Sequence, residues 1–166
     1  VMDEAFDEWR YCKNKRVVVE TTSTKPSYGY AQYFDDWAEK DLISMIRRDR
    51  NDCSIVMWSV GNEIPEANGN DIEGINILKK LVDICHREDP TRPVTVACVS
   101  RELENPTLQQ FYDLSDVAGY NHLGLWDKTR EILYAEEKIK HPERKILASE
   151  DSSISIPINP SSSFNP

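Results

Sequence analysis

What most constrains this chain is an alternation: short apolar runs separated by longer stretches whose apolar residues recur every three or four positions. The short runs fall at about 1–4, 55–59, 94–99, 117–120 and 145–148, and each is expected to be a buried strand. Between them, 35–50, 72–85, 107–112 and 129–140 carry helical spacing. Trp37, Ala38, Leu42, Met45 and Ile46 mark one inward stripe, and Ile72, Ile75, Leu78, Leu81, Val82 and Cys85 a second. Ile132, Leu133, Ala135 and Ile139 mark a third. Val17, Val18 and Val19 suggest a small extra strand inside a polar stretch. Strands that alternate with helices imply a parallel sheet joined by right-handed crossovers.

In such architectures, sites are built at the C-terminal ends of the strands, and there the polar residues of this chain gather. No G-x-G-x-x-G and no G-x-x-x-x-G-K-[ST] occurs, so dinucleotide and P-loop readings lose their main support. The preferred parent is an eight-stranded α/β barrel, with a doubly wound small-molecule module as a weaker alternative. A net charge of −9 argues against nucleic acid or an anionic membrane as partner. No apolar run approaches the ~18 residues of a membrane span, and no basic segment followed by an apolar one marks a signal peptide. Cys12, Cys53, Cys85 and Cys98 show no metal-ligand spacing, and the two in apolar segments are expected to be buried thiols. Redox compartment and localisation stay open. Residues 151–166 are rich in Ser and Pro and read as loop or frayed end.

Glu63 and Glu150 each stand at the end of a predicted strand, 87 positions apart, which is three strand–helix units at ~30 residues each. Two carboxylates three strands apart on one barrel rim would share a mouth. Glycoside cleavage requires such a pair: one acid protonates the leaving oxygen, and the other carboxylate attacks the anomeric carbon or activates water. Asn62 beside Glu63, and Ser149 beside Glu150, sharpen the choice among 29 acidic residues.

Several segments carry a resemblance. Arg48-Asp49-Arg50-Asn51 followed by Ile55-Val56-Met57-Trp58-Ser59-Val60-Gly61-Asn62-Glu63-Ile64 resembles the acid/base signature of glycoside hydrolase family 2. That family comprises β-galactosidases, β-glucuronidases and β-mannosidases. In order, Met2–Trp9 resembles its third barrel strand and Asp89–Thr95 the approach to the fifth. Asp116–Asn121 resembles the sixth and Ile146–Glu150 the seventh. The form is most similar to bacterial β-galactosidases.

The resemblance implies a partial (β/α)8 TIM-barrel catalytic domain over 1–150 and a retaining mechanism on a β-linked carbohydrate substrate. Glu63 would be the acid/base and Glu150 the nucleophile. Asn62 would bind the sugar 2-hydroxyl, Asn121 another hydroxyl, and Trp126 would stack on a sugar ring. Asp3 and Glu4 would bind substrate or support its neighbours. Relatives usually carry His-Pro where this chain has Asp52-Cys53, and many carry Tyr where it has His122. His122 could donate a hydrogen bond to Glu150, whereas Tyr120 should point the other way. No cofactor and no metal is expected. A degenerate, sugar-binding barrel is the competing class.

A barrel of this kind takes ~250 residues, against 166 here. The expectation is therefore a fragment carrying the third through seventh strands, with two unpaired sheet edges. Its partner would be the remainder of the same polypeptide, and alone it should be poorly active.

Overall fold

In the computed structural model, residues 1–13, 29–68, 72–99, 103–122 and 130–150 are described. Val17–Val19, Trp126 and residues 151–166 lie outside them. The strands are Met2–Glu4 (β1), Met57–Asn62 (β2), Val94–Val99 (β3), Val117–Asn121 (β4) and Ile146–Glu150 (β5). They form one sheet in sequence order, and every neighbouring pair is parallel. The connecting helices are Phe34–Asp49 (α1), Ile72–Glu88 (α2), Pro106–Leu114 (α3) and Arg130–Lys140 (α4). This is the expected partial barrel: five parallel strands with helices between them.

The strand ends differ from the sequence reading in a way that matters for the site. β2 starts later than 55 and runs to Asn62, with a register irregularity between Ser59 and Asn62. β4 reaches Asn121, and β5 reaches Glu150. Bulged ladders at a barrel rim re-aim side chains, and the two irregular ladders here, β2–β3 and β4–β5, flank Asn62 and Asn121.

One face of the sheet packs on the helices. Trp58, Val60, Val94, Val96, Cys98, Ala118 and Tyr120 are all buried there against Leu42, Ile46, Leu78, Leu81, Phe111 and Tyr112. The other face bears small and polar residues, among them Ser59, Thr95 and Gly119. A Cβ on Gly119 would lie 2.7 Å from the Val96 carbonyl oxygen and 2.8 Å from the Thr95 hydroxyl, so that position has no room for a side chain. At the opposite end of the strands, Asp89 fastens the turn before β3. It accepts from Thr91 Oγ1 (2.5 Å), Arg92 Nη1 (2.6 Å) and buried Trp58 Nε1 (3.1 Å). Burial alone would raise its pKa, but those donors outweigh burial and hold it at about 2. Asn105 caps α3 by accepting from the Thr107 and Leu108 amides, with Pro106 at the first helical position.

Three inward stripes need correction. On α1 the buried face is Phe34, Ala38, Leu42 and Ile46, a strict four-residue step. Trp37 is 48% exposed and holds the Lys40 ammonium 4.6 Å from its ring centroid. Ile72, in the first turn of α2, is exposed. On α4, Ile132, Ala135 and Ile139 face outward, whereas Glu137 is buried. Glu137 accepts from the Tyr120 hydroxyl (2.8 Å) and pairs with buried Arg144 (3.5 Å). Leaving a buried Arg144 uncompensated would cost about 3–5 kcal/mol, more than the ~1.5–3 kcal/mol gained by burying one isoleucine. The helix is therefore turned to serve the ion pair. Cys85 and Cys98 are buried thiols, as their segments suggested, and Cys12 and Cys53 are exposed.

Candidate active site

Three strand ends converge. Glu63 follows β2, His122 follows β4, and Glu150 closes β5. Glu63 has φ of 48° and His122 φ of 56°. Each sits in the left-handed region that non-glycine residues adopt at a cost of order 1–3 kcal/mol. The surrounding structure fixes both: the Glu63 amide donates to the Ala97 carbonyl (2.6 Å) and the His122 amide to the Glu150 carbonyl (3.2 Å). Just upstream, a Cβ on Gly61 would meet Ile64 at 2.7 Å and Trp9 Nε1 at 3.0 Å, so a larger residue here would push Ile64 aside on the approach to Glu63.

These constraints bring the side chains together. His122 Nε2 lies 3.2 Å from Glu63 Oε1 and 3.3 Å from Glu150 Oε2. One ligand-capable atom from each of the three residues falls within 4.8 Å of the others, so Glu63 and Glu150 present carboxylate oxygens across a narrow gap. The same three atoms are the group that could hold a metal ion. Exposure is graded, with the Glu150 side chain 42% accessible, Glu63 27% and His122 18%.

Asn121 stands behind the cluster and is fully buried. Its Nδ2 donates to Asn62 Oδ1 (2.8 Å) and to Glu63 Oε1 (3.4 Å), and its Oδ1 accepts from the Ser149 hydroxyl (2.6 Å). Asn62 Nδ2 in turn donates to Asp7 Oδ1 (3.2 Å). Glu4 lies on the same rim and accepts from Ser59 Oγ (2.6 Å). Glu4 is exposed as a residue, yet protein crowds its carboxylate. Loss of water there raises its pKa, with the charges of Glu150 and Asp7 adding to the rise against the Ser59 hydrogen bond.

The structure does not bring Asp3 to this cluster. Strand alternation turns it the other way, to Asp49 at the end of α1, with which it shares a hydrogen bond. Burial and then Asp49 raise its pKa. Tyr120 also points away, into the helix layer, where it stacks on Tyr112 at 4.2 Å. Asp7, bridged to Asn62 and to Lys13 (2.7 Å), was not singled out from sequence. A carboxylate after a short first strand carries no local signal. A concavity of about 540 Å³, lined by Asp113, Asp116, His141 and Arg144, lies at the other end of the strands.

Comparison with known proteins agrees with the partial barrel. Residues 6–154 match the family described as glycosyl hydrolases family 2, TIM barrel domain. The chain belongs to that family. A β-galactosidase of Bacteroides ovatus is 34% identical over 151 residues, covering 74% of this chain and 16% of the relative. A β-glucuronidase of Bacteroides fragilis is 30% identical over 120 residues, covering 70% of this chain and 16% of the relative. A crystal structure of a glycosyl hydrolase family 2 member from Bacteroides cellulosilyticus superposes with a TM-score of 0.70 at 36% identity. It covers 90% of this chain and 16% of that one. The family 2 chain described here thus spans about a sixth of the length of these relatives. No helix among its described residues is long and apolar enough to cross a membrane.

Proposed function

We propose that the protein is a retaining β-glycosidase in which Glu63 is the acid/base and Glu150 the nucleophile. The observation that carries this reading is the approach of the two carboxylates, whose nearest oxygens lie within 4.8 Å. Retaining enzymes hold their carboxyl groups ~5–5.5 Å apart, whereas inverting enzymes need ~6.5–9.5 Å to fit a water. Glu150 attacks the anomeric carbon while Glu63 gives its proton to the leaving oxygen. Glu63, now a carboxylate, then takes a proton from the water that releases the sugar from Glu150.

The supporting residues fit these roles. Asn121 is fixed by Ser149 and aims one donor at Asn62 and Glu63, so it holds Asn62 ready for the sugar 2-hydroxyl. His122 touches both carboxylates and keeps each side chain in the mouth. Glu4 and Asp7 form the substrate-facing rim, and the partner of this segment is the rest of the polypeptide that completes the barrel.

A β-galactoside is the first substrate proposed, in line with the β-galactosidase of Bacteroides ovatus. A β-glucuronide is the second, favoured by the β-glucuronidase relative. Full-length protein assayed on chromogenic β-galactoside, β-glucuronide and β-mannoside decides between them. Glu63→Gln should lower turnover of poor leaving groups by roughly 10²–10⁴-fold and spare activated ones. Glu150→Gln should abolish turnover of both. Full activity in Glu150→Gln would refute the assignment.

A further inference from the structure

We propose that Glu63, His122 and Glu150 together bind a divalent cation of the zinc class, and that the bound ion blocks the glycosidase. Binding rests on the geometry alone. Blocking rests on the proposed catalytic roles of Glu63 and Glu150.

Zinc takes imidazole nitrogen and carboxylate oxygen at ~2.0–2.1 Å in a tetrahedron, which sets ligand–ligand edges of roughly 3.3–3.4 Å. Two of the three edges are already near that length: 3.2 Å from His122 Nε2 to Glu63 Oε1 and 3.3 Å to Glu150 Oε2. The gap between the carboxylates is spanned by a pair of oxygens within 4.8 Å of each other. It closes by a rotation of Glu150, whose side chain is 42% exposed and has room to move. His122 and Glu63 stand on backbone held by hydrogen bonds to Glu150 and Ala97, so two ligands are placed before any ion arrives. Three protein ligands leave the fourth position to water from the mouth.

The ligand set also selects the ion. One imidazole and two carboxylates suit zinc and its neighbours. Calcium asks for six to eight oxygens, and magnesium for an octahedron of them. No other group of three or more His, Cys, Asp or Glu among the described residues converges this closely. His122 is the residue that supplies the nitrogen. In the metal-free cluster its Nε2 faces two carboxylates. Ligation needs the Nε2 lone pair, so the ion selects the neutral imidazole that carries its proton on Nδ1. An ion bridging the carboxylates occupies both the nucleophile and the proton donor.

Isothermal titration of full-length protein with zinc chloride tests the binding, and substitution with cobalt gives a visible spectrum that reports the ligands. His122→Gln should weaken zinc binding by more than about 100-fold, beyond the roughly 10–100-fold that outer-shell losses commonly cost. Glu150→Gln, altered at the most exposed ligand, should weaken it similarly and serves as the second variant if His122→Gln does not fold. Cys12→Ser/Cys53→Ser should bind zinc as the parent does, and the cobalt spectrum should lack a thiolate charge-transfer band. Unchanged affinity in either ligand variant overturns the site. Zinc should raise KM for the glycoside without lowering kcat, and binding without inhibition overturns the blocking. If no glycoside is turned over but zinc binds through His122, the metal site stands and the glycosidase reading fails.

Discussion

Arg144→Met should be among the most damaging single substitutions outside the mouth. Its side chain is 5% exposed and its partner Glu137 3%. Arg144 Nη1 donates to Gln109 Oε1 (2.8 Å), Tyr120 Oη (3.2 Å) and Glu137 Oε2 (3.5 Å), while Nη2 reaches Asp113 at 2.5 Å. These bonds join α3, β4 and α4 on the helix side of the strand that carries Asn121. Removing the guanidinium leaves Glu137 buried with the Tyr120 hydroxyl donating to it and no cation beside it, a loss of about 3–5 kcal/mol. The Asp113 contact adds little, because Asp113 is 65% exposed. At ~2–4 °C per kcal/mol, the melting temperature should fall by roughly 6–20 °C. Because most of that cost is the stranded carboxylate, Arg144→Met/Glu137→Leu should recover at least about 2 kcal/mol of it. Thermal unfolding of full-length parent, single and double variants measures this. A single variant within ~1 kcal/mol of the parent, or a double no more stable than the single, would refute the reasoning.

Other consequences follow from particular contacts. Asp89 has a folded pKa of about 2 against an ordinary 3.8, so its contribution is complete above pH 3.8 and is lost as pH falls toward 2. Asp89→Asn should therefore cost about 1–2 kcal/mol near neutral pH, with the difference shrinking below pH 3.8; unfolding curves at pH 6 and pH 3 should show it, and a gap that widens in acid would contradict it. Gly61→Ala places a Cβ 2.7 Å from Ile64, which should cost about 1–3 kcal/mol. By displacing Glu63 it should also lower kcat/KM by on the order of 10²-fold, and parental melting and turnover would sink that account. Asn121→Ala removes the donor to Asn62 and Glu63 and strands Ser149, so kcat/KM should fall while circular dichroism stays parental; unchanged kinetics would remove Asn121 from the site.

The parallel sheet was legible because each buried strand is a short apolar run bracketed by helices with clear periodicity. Strand ends were less so, since the irregularities after Ser59 and Tyr120 are set by neighbouring strands. The α4 stripe misled because periodicity counts isoleucines but does not see Arg144, a residue of the next turn that draws Glu137 inward. Glu63 and Glu150 could be picked out by their place after strands. His122 was tied to Glu150 by its position, but its contact with Glu63 depends on a positive φ that nothing local announces. Asp3 and Glu4 were both placed on the rim, although strand alternation allows only one of two neighbours to face the mouth. Glu4 is that one.

The pairing of Glu63 with Glu150 is tested most directly by trapping the glycosyl-enzyme. Full-length protein is incubated with an activated 2-deoxy-2-fluoro-β-galactoside, or the glucuronide if that is the substrate turned over, and digested for mass spectrometry. One fluorosugar on the peptide carrying Glu150, with natural substrate releasing the β-anomer first, is the expected result. A label on any other residue, or first release of the α-anomer, would contradict it.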